Sequence, residues 1–406
     1  MSAVRARQDV PHIMSNYILL PHTIGSMPMA DQKWYWYDPF KIIRSSLYKE
    51  DLLKNISKDM LNAYNFRKAT NTSGAYARFD KTNYPVKILS NPIIDTVPDF
   101  FVRRKLDFTE VTDARALDLL KKSKSYKNIF LFYSGGIDST MILCAILKNW
   151  SKDDLAKVTI VMNQHSIDEN KNMFTDYISG QFAIVNTDEY FTECKINNDT
   201  LYITGSLGDP LMADENNTNR YNELYPNCYN RPWITNIDSL IKYFAIRSDT
   251  VTAQYIIDSV IQSLAKCNFE VETVYEFFWW ISFNWGWDID IFQSVWYWKL
   301  AENADTQQFL EDNHFIWLNT VDYQDWAINT VGTKLMMGDN IRMSKFSMKK
   351  YIYDFNQDNE YFANKVHEGS ISKNKSLITT IFCGIDSNYN IYYRKLNNSI
   401  PSRTPL

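Results

Sequence analysis

The sequence predicts an α/β fold with a parallel, doubly wound sheet, a helical C-terminal portion and a small mixed N-terminal domain. Three observations lead to this prediction. Apolar runs at 128–133, 157–162, 183–185 and 200–204 have the length and composition of buried strands. An apolar helix pattern follows the first run directly, as in a βαβ unit. From Ile237 to about Leu310, apolar residues recur at helical spacing.

Composition restricts the class of protein. The chain has 406 residues, 45% of them apolar and 15% aromatic, which is typical of a folded protein with a large core. The net charge of -4 gives no general attraction to nucleic acid or to an anionic membrane. The five cysteines are scattered without C-x-x-C spacing, which favours reduced thiols over disulfides or a zinc site. Since no signal-peptide pattern is present, a cytoplasmic location is predicted.

Four segments are predicted along the chain. Residues 1–15 form a polar leader, and 16–109 form an N-terminal domain of unknown role that prolines divide into short pieces. Residues 110–236 form the α/β core, which opens with a helix over 110–125. Residues 237–406 form the mostly helical C-terminal part.

The first predicted strand leads into Ser134-Gly-Gly-Ile-Asp-Ser-Thr140. Glycines permit positive φ and let backbone amides approach a ligand closely. A helix beginning near Ser139 would direct free amides and its positive dipole end into this turn. The turn therefore predicts a phosphate cradle, although the Walker lysine, G-x-G-x-x-G and G-x-S-x-G patterns are all absent. A chance glycine turn between a core strand and a core helix is the alternative.

Ser-Gly-Gly-Ile-Asp-Ser resembles the pyrophosphate loop (PP-loop) of the ATP pyrophosphatases, which include asparagine, β-lactam, NAD, GMP and tRNA-lysidine synthetases. These enzymes split ATP between its α and β phosphates, place AMP on a substrate oxygen, and let a nucleophile displace the AMP. The resemblance implies a sheet of the PP-loop type, with ATP and Mg²⁺ as ligands. It implies pyrophosphate binding by Ser134, Gly135, Gly136, Ile137, Asp138, Ser139 and Thr140, and adenine binding by Val161, Met162 and Asn163.

A second loop, Gly205-Ser206-Leu-Gly208-Asp209-Pro210, follows the fourth predicted strand. It resembles the Ser-Gly-Glu-Gly-Ala-Asp-Glu-Leu segment of asparagine synthetases, in which Gly205 and Asp209 match. The resemblance implies that Asp209 and Asp138 share Mg²⁺, and ends of neighbouring parallel strands suit a shared metal. Ser206 replaces a Glu that assists the nucleophile in the family, and Pro210 replaces another acid. A Gly-Asp-Pro turn without function is the alternative.

The C-terminal part carries a third resemblance, to the Asp-Arg-x-x-Met segment of asparagine synthetases and the closing Asp that follows it. Asp339, Met343 and Asp354 match, and Asn340 replaces the Arg. That family also implies a catalytic lysine further on, for which Lys373 or Lys375 is the candidate and Lys365 lies in the same region. No cysteine precedes Cys144, so glutamine hydrolysis by this chain is not expected.

Three other stretches carry predictions without a ligand. The polar residues 216–233 predict a long loop, and Asp168 and Glu169 are expected to be solvated loop acids. The aromatic run 277–287 is too short and too acidic at its end to cross a bilayer and predicts a packed core helix. Gly384–Ser387 predicts a hairpin turn between strands at 377–382 and 391–393.

Together these features predict an ATP-dependent ligase. It would adenylate a carboxylate or an amide or carbonyl oxygen of a small molecule, release pyrophosphate, and form a C–N bond with ammonia or an amine. Two alternatives stay open: a nucleic-acid base modifier of the tRNA-lysidine-synthetase or deazapurine kind, which the net charge does not indicate, and a nucleotide-binding relative without catalysis. No membrane partner is expected.

Overall fold

A computed structural model describes six long stretches of the chain: 106–187, 197–212, 215–267, 270–287, 312–330 and 345–365. It also describes 66, 69–70 and four short strands. Two of these strands, Leu20–Pro21 and Trp34–Tyr35, pair with each other in antiparallel orientation. All structural statements below concern these residues.

Five strands form one parallel sheet, which confirms the predicted α/β class. They are β1 Asn128–Phe132, β2 Val158–Met162, β3 Ala183–Asn186, β4 Thr200–Thr204 and β5 His314–Ile316. In space the order is β3-β2-β1-β4-β5, and every neighbouring pair is parallel. Four strands lie where the sequence predicts them. The fifth was not predicted, because three residues are too few for a pattern.

The strand order determines where a ligand can bind. The chain runs outward from β1 through β2 to β3, and then crosses to β4 and β5 on the other side of β1. Such an arrangement is consistent with a doubly wound sheet. The order reverses between β1 and β4, where the loops leaving the carboxyl ends of the two strands open a crevice, the usual ligand site of open α/β sheets.

The helices of the core and of the C-terminal part pack around this sheet. In chain order they are α1 Phe108–Ser123, α2 Ile137–Asn149, α3 Lys152–Leu155, α4 Gln164–Glu169, α5 Lys171–Met173, α6 Gly208–Met212, α7 Glu215–Leu224, α8 Ile237–Ala245, α9 Thr250–Cys267, α10 Val274–Trp285, α11 Val321–Asn329, α12 Phe346–Asn356 and α13 Asn359–Asn364. A π-helical turn Phe174–Ile178 and a 3₁₀ turn Ile234–Asn236 complete them. Both α1 and α12 pack against α2, the helix that follows the glycine turn.

The aromatic run predicted as core is confirmed as α10. Nine of its twelve residues are apolar or aromatic, and the helix begins with a capping box of Thr273 and Glu276. Trp279, Trp280 and Phe283 are fully buried. The indole of Trp279 donates to the Leu211 carbonyl, which attaches α10 to the helix of the second loop. None of the described helices is long and apolar enough to span a membrane.

Asn284 lies within this apolar helix and is fully buried, and neither of its amide atoms has a hydrogen-bond partner among the described residues. An unsatisfied buried amide costs about 1–3 kcal/mol. We therefore expect Asn284→Leu to raise the free energy of unfolding by about 1–2 kcal/mol, measured by urea denaturation.

Asn313 is the matched control, because it is similarly buried but donates to the carbonyls of Asn198 and Thr200. Asn313→Leu should lower the free energy of unfolding by about 2 kcal/mol, since two carbonyls lose their donor. Equal losses in both variants would contradict an unsatisfied amide at Asn284.

The polar stretch after the second loop contains a helix, so the predicted long loop over 216–233 is wrong for its first half. Helix α7 buries Asn217, Thr218 and Tyr221. The Asn217 amide donates to the Thr70 carbonyl and its oxygen accepts from Tyr243 and Arg247. Hydrogen bonds to distant segments hold α7 in place, so its sequence lacks the regular apolar spacing that predicts a helix.

At the C-terminus, Ile381–Ile385 and Ile391–Lys395 pair as an antiparallel hairpin. The predicted hairpin is confirmed, with its first strand a few residues later than expected. The predicted turn is wrong for Gly384 and Ile385, which pair with Tyr392 and Ile391, and the rest of the turn lies outside the described residues. The boundaries of the four predicted segments stay predictions. Within 16–109, Phe66 packs its ring 5.3 Å from that of Trp285 in α10.

Candidate functional site

The glycine turn after β1 has the backbone that a close-packed ligand loop requires. Gly135 has φ +78°, in the left-handed region. A Cβ at Gly135 would overlap the Ser166 carbonyl oxygen and lie 2.9 Å from Glu169 Cβ, so α4 packs directly on the turn. Helix α2 then begins at Ile137, with Gly136 as its N-cap and no side-chain cap.

Hydroxyl groups hold the turn in shape. The Ser134 Oγ accepts from the Gly136 amide at 3.2 Å and lies 3.2 Å from Ser139 Oγ. The Ser139 hydroxyl donates to the Gly136 carbonyl at 3.1 Å. Ile137 is buried. Thr140 is also fully buried behind the turn, where its hydroxyl lies 3.3 Å from that of Tyr133 and accepts from the Asn170 amide.

Gly135→Ala should destabilise the protein far more than Gly180→Ala. Gly180 has nearly the same backbone angle, φ +75°, but no described residue lies within 4 Å of an added Cβ, so this variant reports left-handed strain alone, about 1 kcal/mol. Gly135→Ala adds the clash with Ser166 and Glu169 and should cost about 3 kcal/mol or more. Urea denaturation measures both. Equal losses would mean that α4 does not press on the turn.

The second loop comes equally close to the first. A Cβ at Gly205 would lie 3.1 Å from Asp138 Cβ. A Cβ at Gly208 would overlap Asp138 Oδ1 and lie 2.9 Å from Lys345 Nζ. Between these glycines, Leu207 is fully buried with φ +79°, a strained conformation for a side-chain-bearing residue, and Ser206 is half-buried. Both glycines are therefore needed for the two loops to meet.

The predicted meeting of the two acids occurs through a lysine that the sequence analysis did not select. Lys345 Nζ lies 2.7 Å from Asp138 Oδ2 and 2.8 Å from Asp209 Oδ1. The side chain of Lys345 is only 2% exposed, whereas those of Asp138 and Asp209 are 25% and 45% exposed. One buried ammonium thus bridges carboxylates from the loops after β1 and β4.

The backbone conformation of Lys345 sets its position, and the neighbouring carboxylates keep it protonated. Lys345 has φ 51°, a left-handed residue that immediately precedes α12. Burial by itself lowers the pKa of Lys345, but the carboxylates of Asp138 and Asp209 together outweigh burial and raise this pKa above its ordinary value. Helical spacing could not have found it, because Lys345 precedes α12 in a left-handed conformation and is not part of a helix face.

A second buried ion pair lies on the other side of the turn. Lys365 Nζ lies 2.7 Å from Glu169 Oε1, and their side chains are 11% and 3% exposed. The Oε1 atom also lies 3.7 Å from the position of a Cβ on Gly136. Glu169 was predicted to be a solvated loop acid, and this prediction is wrong, because its side chain is buried and packs against Gly135. The prediction of a solvated side chain holds for Asp168, which is exposed and accepts from Gln164.

The predicted adenine-binding residues lie at the carboxyl end of β2. Val161 and Met162 are buried, and the Val161 carbonyl accepts from the Tyr133 amide at 2.9 Å. Asn163 caps α4, with its side-chain oxygen accepting from the Ser166 amide at 3.1 Å. Lys373 and Lys375, the predicted catalytic lysines, lie outside the described residues, as do Asp339 and Met343.

Asp138 and Asp209 offer carboxylate oxygens of the kind that Mg²⁺ binds. No group of three or more Asp, Glu, His or Cys side chains suited to a metal occurs in the described part of the chain. However, Asp138 Oδ1 is buried without a hydrogen-bond partner there, although the other oxygen is held by Lys345. Mg²⁺ commonly uses one or two carboxylates together with substrate phosphates, so two acids with one open oxygen fit this ion.

Comparison with known proteins found no match to this chain among protein-family models, curated proteins or solved structures. The chemistry of the site must therefore be argued from its own residues.

Proposed function

We propose that this protein is an ATP-dependent ligase that activates an oxygen of a small molecule with AMP and then joins it to ammonia or an amine. One observation carries the proposal: Asp138 and Asp209, from the loops after β1 and β4, meet at the buried ammonium of Lys345 beside the Gly135–Gly136 turn. Acids, a fixed cation and free backbone amides at the reversal point of a parallel sheet suit a triphosphate.

Each group has a role in the first half-reaction. The hydroxyls of Ser134 and Ser139 and the backbone amides at the start of α2, which has no side-chain cap, would hold the pyrophosphate. Asp138 Oδ1 and Asp209 hold Mg²⁺, which neutralises phosphate charge. Lys345 supplies a fixed positive charge beside the two acids. Lys373 or Lys375, outside the described residues, stays the predicted catalytic lysine. Thr140 supports the turn from behind.

The proposed reaction has two steps. A carboxylate or carbonyl oxygen of the acceptor attacks the α-phosphorus of ATP, and the bond to the bridging oxygen of the β-phosphate breaks. Pyrophosphate leaves with that electron pair, where the Lys345 charge and the loop amides stabilise it. The amine nitrogen then attacks the activated carbon, AMP leaves with its oxygen, and the amine gives up one proton to a base.

A nucleotide-binding protein without catalysis is the second candidate. It is favoured by the position of Lys345, because the ammonium occupies the space between the two acids that a metal ion would otherwise share.

Pyrophosphate release separates the two candidates. The protein is incubated with ATP, MgCl₂ and ammonium chloride, together with amino acids, other carboxylic acids and nucleosides in turn. The ligase proposal expects release of pyrophosphate and AMP with one acceptor class, and nucleosides as that class would indicate base modification instead. ATP binding without pyrophosphate release in any mixture would overturn the ligase and support the binding protein.

A further inference from the structure

Helix α4 places a histidine beside the buried Glu169. His165 Nε2 lies 3.7 Å from Glu169 Oε2, one helical turn along α4. Both atoms are buried, and neither has a hydrogen-bond partner among the described residues. The other carboxylate oxygen, Oε1, is held by Lys365 at 2.7 Å. Glu169 is thus fixed at one oxygen and presents the other to the imidazole.

This arrangement selects one tautomer of His165. A buried carboxylate oxygen without a donor is costly, and the nearest group that can donate to Glu169 Oε2 is Nε2–H of His165. With the proton on Nε2, the lone pair lies on Nδ1. The side chain is 31% exposed although Nε2 is buried, so the exposed part of the ring is the part that carries Nδ1.

The charges leave His165 as the group able to accept a proton. Of the three carboxylates around the turn, Asp138 and Asp209 are bound to Lys345, and Glu169 is bound to Lys365. Each of these carboxylates already accepts from an ammonium group. Helix α4 packs on Gly135 through Ser166 and Glu169, so His165 belongs to the helix that lies against the glycine turn.

We propose that His165 is the general base of the second half-reaction and that Glu169, held by Lys365, is its positioning residue. The assignment rests on the proposed ligase function. As the amine nitrogen forms its bond to the activated carbon, His165 Nδ1 takes one N–H proton of the amine. The carbon–oxygen bond to AMP breaks, and AMP leaves with that electron pair. The imidazolium formed is stabilised by Glu169.

The tautomer can be measured without any substrate. In protein labelled with ¹⁵N-histidine, the ring nitrogens of His165 are assigned by loss of signal in His165→Gln and read at alkaline pH. We expect Nε2 to carry the proton, and we expect Glu169→Gln to abolish this preference. Asp168→Asn, on the exposed side of the same helix, should leave it unchanged. A proton on Nδ1, or no change in Glu169→Gln, would overturn the assignment.

The catalytic role is tested with the acceptor found by pyrophosphate release. His165→Ala should slow transfer to the amine by about 100- to 10,000-fold and leave pyrophosphate release in the first turnover unchanged, and added imidazole should restore part of the transfer. Transfer at the wild-type rate, or an equal loss in both half-reactions, would overturn the role of His165. If the wild-type protein releases pyrophosphate in no mixture, the proposed ligase function is wrong and the role of His165 is wrong with it. If the wild type releases pyrophosphate but His165→Ala transfers normally, only the role of His165 is wrong.

Discussion

Replacing Lys345 with methionine is expected to lower the free energy of unfolding by about 2–4 kcal/mol. The variant removes the one ammonium between Asp138 and Asp209 and leaves two facing carboxylates without it. Removing one partner of a fully buried ion pair costs up to about 5 kcal/mol. The loss here should be smaller, because Asp138 and Asp209 are 25% and 45% exposed to water. Chemical denaturation measures the loss.

Two controls separate this effect from the loss of a lysine in general. Lys350 lies on α12, the helix that follows Lys345, and pairs with Asp354, but both side chains are about half exposed, so Lys350→Met should cost about 0.5 kcal/mol or less. Combining Lys345→Met with Asp138→Asn and Asp209→Asn should recover most of the lost stability, since no uncompensated charge remains. If the triple variant is as unstable as Lys345→Met alone, packing and not charge holds Lys345 in place.

The same ion pairs have a defined pH dependence. The pKa of Lys345 is raised in the folded state, so its stabilisation is fully present below the ordinary lysine pKa of 10.5 and is lost as pH rises toward the higher folded value. The stability difference between the wild type and Lys345→Met should therefore stay constant between about pH 7 and pH 10 and shrink above that range. A difference that shrinks below about pH 9 would assign the effect to another group.

The parts of the site that the sequence could predict are local ones. A strand, a glycine turn and an apolar helix are contiguous in 128–147, so the turn at Gly135 and Gly136 follows from neighbouring residues alone. Predicting that Asp138 and Asp209 lie close together required one further rule, that the loops after adjacent parallel strands lie at the same edge of the sheet. The structure places both acids within 3 Å of one Lys345 nitrogen.

The two lysines show why the rest could not be predicted. The stretch around Lys345 contains further lysines, and composition does not distinguish Lys345, which is buried, from Lys350, which is half exposed. Partners that are distant in the chain decide the difference, as they do for Lys365 with Glu169 and for the polar face of α7 around Asn217. Burial of a charge depends on where its counter-charge lies, and periodicity does not carry that information.

The largest effect on activity is expected from Asp138→Asn. The asparagine oxygen still accepts from Lys345, so the fold should lose less stability than in Lys345→Met. The buried oxygen that is open toward Mg²⁺ is replaced by an amide that cannot bind a metal in the same way. Pyrophosphate release should fall by about 1,000-fold or more. Asp209→Asn should cost less, because its side chain is 45% exposed and water can take part of its role.

Nucleotide affinity supplies the decisive comparison for these two acids. In the wild type, ATP should bind more tightly with Mg²⁺ than with EDTA, and in Asp138→Asn this difference should disappear, as measured by calorimetry. Asp168→Asn, exposed on α4, should retain it. If ATP binds equally well with and without Mg²⁺ in the wild type while Lys345→Met abolishes binding, then the ammonium alone neutralises the phosphates. The two acids would then serve to hold Lys345, and the protein would bind the nucleotide without cleaving it.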